Sequence, residues 1–315
     1  MRGFAGADGL ALIEIGAAVR LRELGWKKPI LLLQGFFEPV DLSVVLEHQL
    51  HVVVHTSEQI EMLEHLASTV AIDVYLKMNS GMNRLGFQPG DTGKAYARLR
   101  AIPSVRGITL MTHFANSYAT ETPKFGISVG EQSFRFNAVA TALDCERSFA
   151  DSATVLAKPG NTADWVRPGV MLYGATVFPG LRAEEFGLLP AMTLASEIIG
   201  IQHIGAGDSV GYGSRFVADK PMRIGVVACG YTDGYPRSAQ DGTPVLVDGV
   251  KTGLVGRVSM DSITVDLTPI PTAQVGSKAV LWGPGLPVEE VAALAGTIGC
   301  ELLCGLTRRI HVMDG

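Results

Sequence analysis

Five residues in the first half of the chain could do chemistry together. They are an amine at Lys77, guanidinium groups at Arg84 and Arg167, an imidazole at His113 and a hydroxyl at Ser152. Each lies at or just beyond the end of an apolar, strand-favouring run. In a parallel barrel, the C-terminal strand ends and the loops after them are where reactive groups gather. Each also has an ordinary alternative: a solvated strand-end lysine, a capping or ion-paired arginine, a satisfied core histidine, a turn serine. The second half offers three denser stretches. "VGYGSRF" sets Tyr212 between two glycines, which suits a tight turn presenting the phenol. "CGYTDGYPR" puts Tyr231 and Tyr235 in a loop too polar and glycine-rich for a core, and "GRVSMDS" ends a strand with Met260 and Asp261. For the tyrosines the ordinary alternative is packing with a hydrogen-bonded tip. No nucleophile elbow, phosphate-cradling lysine loop or H-E-x-x-H zinc site is present, and "VGYG" lacks the third glycine of a dinucleotide fingerprint.

The elements that must position these residues alternate up to about residue 180. The strand candidates are "GLALIEI", "PILLLQG", "LHVVVHT", "AIDVYLKM", "GITLMTHF", "RSFADSA" and "VRPGVMLYG". Amphipathic helices separate most of them, such as "SEQIEMLEHLAS", with Ser57 as N-cap and Ile60, Leu63 and Leu66 on one face. Such alternation predicts a parallel sheet covered by helices. Seven strands can be counted, where a closed barrel of this class needs eight. From Ala191 onward, short β runs punctuated by Gly and Asp predict a second, mostly antiparallel domain, with one helical pattern at "VEEVAALAGTIG". The boundaries expected are 1–185 for the barrel and 186–315 for the β domain.

Composition narrows the class. Across 315 residues, 47% are hydrophobic, 18% are charged and the net charge is −5. This is a well-buried globular chain with no electrostatic reason to bind nucleic acid or an anionic membrane. No apolar run is long enough to cross a bilayer, and the start lacks a signal-peptide pattern. The four cysteines show neither metal-ligand nor C-x-x-C spacing. Buried free thiols in a reducing cytoplasm are the expectation.

Six segments, "DVYLKMNSGMNRLGF", "LMTHFA", "DWVRPGVMLYG", "VGYG", "VACGYTDGYPR" and "LVGRVSMD", resemble the successive signature segments of bacterial alanine racemases, in the family's order and spacing. The resemblance runs from about Gly9 to the C-terminus. It implies a (β/α)8 barrel followed by a β domain, a head-to-tail homodimer with shared active sites, pyridoxal 5′-phosphate (PLP) as cofactor, and interconversion of L- and D-alanine. By the same resemblance, Arg167 would bond the pyridine nitrogen, with His113 packed beside the ring. Ser152 and the N–H groups around Gly169 and Val170 would hold the phosphate. Arg84 would meet the phenolic oxygen, oriented by Lys77, the position carbamylated in many members. Tyr212, from the partner subunit, would be the base on one face of the substrate; Tyr231 would line the entrance, and Met260 would offer its N–H to the substrate carboxylate with Asp261 beside it.

Racemisation needs a proton carrier on each face. In the family the second is the lysine that also carries PLP, within a segment resembling "VKANAYGHG". That segment is absent from these 315 residues. With the count of seven strands, its absence leads to the expectation of a barrel missing its first strand–helix unit, a fragment without covalent PLP attachment. Lys27, Lys28, Lys94, Lys124, Lys158, Lys220, Lys251 and Lys278 give no replacement. Two smaller departures are Asp151, where the family usually has Asn, and Ser259, where many members have Cys; "GLTRRIHV" also lacks a tyrosine some members use at the phosphate. A carboxylate at Asp151 is expected to weaken PLP binding unless it is protonated or turned away. A non-catalytic PLP-binding or interaction protein is the alternative. A barrel decarboxylase fits less well, because its pyridine partner is acidic and Arg167 is cationic.

Overall fold

Seven short strands of the first half pair in the order in which they occur, every pair parallel. They are β1 (Leu10–Leu12), β2 (Ile30–Leu32), β3 (His51–Val54), β4 (Ile72–Lys77), β5 (Val105–Met111), β6 (Glu146–Asp151) and β7 (Trp165–Arg167). Helices α1 (Ile15–Glu23), α2 (Pro39–Glu47), α3 (Ser57–Glu64), α4 (Pro89–Ala101), α5 (Val129–Ala140) and α6 (Ser152–Ala157) fall between them. The computed structural model describes residues 2–66, 68–118, 126–157 and 162–313. The outer members of the sheet are β1 and β7. This unit spans Met1–Pro168.

Strand alternation sorts the side chains into two layers. Ile30, Leu32, Val52, Val54, Ile72, Val74, Leu76, Ile108 and Leu110 join one large core with helix residues such as Leu42, Ile60, Leu63, Leu99 and Phe136. The alternate residues Leu31, Val53, Tyr75 and Met111 form a separate inner cluster. Lys77 follows Tyr75 by two residues and His113 follows Met111 by two, so both belong to that inner side where the strands end.

Several elements differ from their sequence expectation. The first strand stops at Leu12, because Ile15 already begins α1. The last stops at Arg167, because Pro168 has no N–H for a ladder, and a 3-10 turn follows at Val170–Tyr173. Thr56, not Ser57, caps α3: it has extended backbone and its hydroxyl accepts from Gln59 N–H. Of the four thiols only Cys229 is buried; Cys145 and Cys300 are half-buried and Cys304 is exposed.

The second unit, Gly169–Gly315, has its own core. Strands β8 (Leu194–Ile204), β9 (Ser209–Val210), β10 (Phe216–Val217), β11 (Met222–Val227), β12 (Pro244–Val247), β13 (Val250–Gly253), β14 (Ile263–Asp266) and β15 (Lys278–Trp282) are all antiparallel. Six of them form one sheet in the order β13-β12-β15-β8-β11-β14, and β9 and β10 form a separate ribbon. The expected strand "TGLVGRVSM" ends at Gly253. Beyond it Gly256 turns at φ +79°, where a Cβ would stand 2.7 Å from the Val210 carbonyl oxygen. The pattern read as one helix is two, α7 (Val288–Ala295) and α8 (Gly299–Cys304), separated by Gly296 in the left-handed region. No helix among the described residues is long and apolar enough to cross a membrane.

Leu76 is fully buried in the outer core beside Lys77. Leu76→Ala is expected to destabilise the first unit by about 2–5 kcal/mol, read as a lower midpoint in chemical denaturation.

Candidate functional site

Lys77 ends β4 and is not a solvated strand-end lysine, for only 7% of it is exposed. The segment after it folds back on the strand. Phe87 N–H donates to the Lys77 carbonyl oxygen at 2.9 Å, and Asn79 N–H to that of Phe87 at 2.8 Å. Gly86, at φ +118°, permits this approach; a Cβ there would come within 2.8 Å of the Lys77 carbonyl oxygen. Asn79 Oδ1 accepts from the N–H groups of Gly81 and Asn83 at 3.1 and 2.9 Å, closing the turn that presents the exposed Arg84.

Arg167 ends β7. Its Nη1 donates to Ser148 Oγ at 2.5 Å and its Nη2 to the Thr112 carbonyl oxygen at 2.7 Å. Both acceptors are neutral. Burial lowers the Arg167 pKa to about 10, so it is still a cation at neutral pH. His113 follows β5, with its Nε2 3.8 Å from Asp151 Oδ2. Burial, chiefly, and the nearby charges of Arg167, Arg84 and Lys77 hold its pKa well below the ordinary imidazole range, overriding the opposite pull of Asp151. His113 is therefore neutral at pH 7.

Asp151 is the residue whose charge the sequence left open. Its Oδ1 accepts from Thr154 N–H and Oγ1, both at 2.9 Å, and its Oδ2 accepts from Ser117 Oγ at 3.0 Å. The carboxylate thus caps the first turn of α6 and is turned toward its own neighbours. Ser152, buried, starts that helix. The barrel end therefore brings together Lys77, Arg84, His113, Arg167 and Asp151, three cations and a neutral imidazole with one carboxylate. Gly169 and Val170 open the second unit.

In the second unit, Tyr212 lies between β9 and β10 and is 71% exposed. Gly211 and Gly213 flank it at φ +75° and +69°, conformations that L side chains rarely adopt. The loop carrying Tyr231 is laced to the loop carrying Met260. Tyr231 N–H donates to the Ser259 carbonyl oxygen and Thr232 N–H to that of Met260, each at 3.1 Å. A Cβ on Gly230 would stand 2.3 Å from that Met260 oxygen. Arg309 closes the pair by donating to Thr232 Oγ1 at 2.6 Å and to Asp261 Oδ1 at 2.7 Å, which holds the Asp261 carboxyl below its ordinary range. Among the described residues the Met260 N–H has no acceptor in these loops. Tyr235 does not join the loop's polar face; it is buried and stacked on Trp282, with ring centroids 6.2 Å apart.

Thr112, Ser148, Thr232 and Arg309 escape sequence reading. A threonine carbonyl, a strand serine and a C-terminal arginine carry no motif, and they become visible only when the elements are paired.

Of the remaining lysines, Lys27 and Lys28 precede β2, and Lys28 Nζ bonds the carbonyl oxygens of Ala5 and Ala7. Lys94 lies on α4, and Lys220, Lys251 and Lys278 belong to the second unit. Lys124 and Lys158 lie outside the described residues.

Lys77 provides a test of this geometry. Burial, with Arg84 and Arg167 adding to it, lowers its pKa from 10.5 to about 8. Between those values the unfolded chain binds the proton that the folded chain has lost, so stability rises as pH climbs from about 8 toward 10.5. Lys77→Met is expected to remove this rise, read as the denaturation midpoint at pH 8 and pH 10. An unaltered pH dependence would mean that Lys77 is not buried as described.

Two family models match the chain: the alanine racemase N-terminal domain over residues 2–177 and the alanine racemase C-terminal domain over residues 191–313. An alanine racemase of Janthinobacterium sp. (strain Marseille) is 60% identical over 315 residues, all of this chain and 87% of that protein. One from Burkholderia mallei is 51% identical over 313 residues, 98% of this chain and 86% of that protein. Among solved structures, the biosynthetic alanine racemase of Pseudomonas aeruginosa superposes with a TM-score of 0.93 at 43% identity, covering 97% of this chain and 84% of that one. That of Acinetobacter baumannii gives 0.90 at 36%, covering 96% and 84%. With both domains matched and relatives of this similarity along its whole length, the chain belongs to the alanine racemase family.

Proposed function

We propose that the chain carries the cofactor-, substrate- and proton-handling groups of an alanine racemase, its barrel end holding PLP and its second unit serving the site of a second copy in a homodimer. The observation that supports this best is the manner in which Arg167 is held. A half-buried guanidinium held by a serine hydroxyl and a backbone carbonyl keeps its charge at neutral pH and has N–H groups to spare. Facing a ring nitrogen, it opposes protonation there, which suits a reaction that must return its carbanion to an amino acid. The two guanidinium charges of Arg84 and Arg167 against one internally engaged carboxylate fit a ligand with a phosphate and a phenolic oxygen.

When bound, PLP supplies the electron-withdrawing ring that makes the α-proton of an amino acid acidic. The chain's own residues do the rest. Arg84 would take the phenolic oxygen, the neutral His113 would pack beside the ring, and Ser152 would take the phosphate, with the N–H groups around Gly169 and Val170 that the family resemblance implies. The depressed basicity of Lys77 would supply the neutral amine that adds to carbon dioxide and sheds a proton, giving a carbamate anion to orient Arg84. Met260 N–H, unused within its own loop, takes the substrate carboxylate with Asp261 alongside. Tyr231 lines the approach, and Tyr212 of the partner subunit carries the proton on one face.

The opposite face needs a second carrier, and Lys77 is alone among the described lysines in standing at a C-terminal strand end. The lysine segment by which the family supplies that carrier and the covalent anchor is not found in these 315 residues. The same missing lysine favours, as a second reading, a PLP-binding protein without catalysis.

The test is to add PLP to the purified chain, follow visible absorption, fix any lysine–cofactor bond with borohydride, map it by mass spectrometry, and assay D-alanine formed from L-alanine. Uptake of PLP, no single modified lysine and little D-alanine are expected. D-alanine formation abolished by Tyr212→Phe, or one fully modified lysine, would place the anchor within this chain. Failure to take up PLP would end the cofactor reading.

A further inference from the structure

Gln132 lies on α5, away from the strand ends that carry the charged groups, and its side chain is completely buried. Its Nε2 donates to Ser80 Oγ at 3.2 Å and to the His113 carbonyl oxygen at 3.5 Å, while its Oε1 accepts from Ala115 N–H at 2.8 Å. Ser80 Oγ is 2.8 Å from Thr112 Oγ1, and Thr112 Oγ1 donates to the Met78 carbonyl oxygen at 2.9 Å. A hydroxyl has one proton to give. Thr112 gives its own to Met78, so Ser80 must donate to Thr112, and Ser80 in turn accepts from Gln132. The direction of the whole relay is thereby fixed. It runs from α5 across the exits of β4 and β5 and ends on the carbonyl next to Lys77. The Thr112 carbonyl oxygen, on the same residue, is the acceptor that holds Arg167.

We propose that Gln132 is a positioning residue for His113 and Arg167, acting through Ser80 and Thr112 on the segment 112–115. The significance for the cofactor rests on the PLP reading above. Serving Ser80 and Ala115 at once requires a donor and an acceptor on one planar group. Glutamate has that shape and offers both only while protonated; leucine offers neither. A carboxyl placed there is raised in pKa by burial. The charged and titratable groups around His113 are Lys77 and Arg84 from β4 and its loop, Asp151 from β6 and Arg167 from β7. Gln132→Leu changes none of these charges, so a displaced His113 titration after that change reports movement of the segment.

The experiment takes the purified chain, Gln132→Leu, the milder Ser80→Ala, Gln132→Glu, and Phe136→Leu as a control. Phe136 is buried on the same helix but faces the outer core. Two quantities are read: the dissociation constant for added PLP and the His113 imidazole titration by NMR. Gln132→Leu should weaken PLP about ten-fold and move the His113 titration upward toward the ordinary range, with Ser80→Ala acting in the same direction. Phe136→Leu should lower thermal stability and leave both readings in place. Gln132→Glu should match the unchanged chain at acid pH and fall behind it as its carboxyl ionises. Unchanged readings in Gln132→Leu and Ser80→Ala, or equal effects from Phe136→Leu, would overturn the inference. If the unchanged chain takes up no PLP, the cofactor reading fails, and the His113 titration alone then upholds or overturns the positioning role.

Discussion

A half-buried guanidinium that keeps its proton at neutral pH constrains what surrounds the end of β7. Arg167 demands acceptors, and the acceptors it receives decide what the neighbouring groups can be. Ser148 and the Thr112 carbonyl satisfy it without neutralising it. The uncancelled charge then presses on His113 and Lys77 and, added to their own burial, keeps the first uncharged and the second easily deprotonated. Asp151 relieves part of this field while its oxygens stay engaged with Ser117 and Thr154. Burial of His113 and Lys77, with the Arg167 charge adding to it, thus sets the protonation of both.

The second unit solves a different problem by different means. Its candidate residues are exposed, so their positions come from backbone closeness rather than from burial. Gly230 lets the two loops approach to a distance that any side chain would forbid, and the hydrogen bonds to the Ser259 and Met260 carbonyls fix their register. Arg309 then clips Thr232 to Asp261 from the far end of the chain. What the pair presents outward is an unused N–H at Met260 beside a tyrosine, a small polar platform without a core of its own.

The alternating pattern was legible because burial on one strand face and one helix face has to repeat at periods of 2 and 3.6. It marked all seven strands of the first unit, and the switch to short β runs marked the second. Strand ends were less legible. Pro168 and Ile15 ended strands earlier than hydrophobicity suggested, because ladder donors and helix starts, not apolarity, decide where pairing stops. Lys77, His113 and Arg167 were visible as polar residues at strand ends. Their partners were not, since Ser148, Thr112 and Gln132 act through ordinary groups brought together by strand pairing. Tyr235 shows the reverse error: a polar-looking loop hid a ring that packs on Trp282.

The order of strands in the two sheets has a consequence for how the chain reaches this state. In the first unit each strand pairs with its neighbours in sequence, so structure can grow stepwise as the polypeptide lengthens. In the second, β8 is flanked by β11 and β15, and the β15 edge stays open until Lys278–Trp282 has been made. The longer loops to be closed make this the slower sheet to assemble. During synthesis, the exposed edge of the long β8 is the surface most in need of protection from wrong pairing.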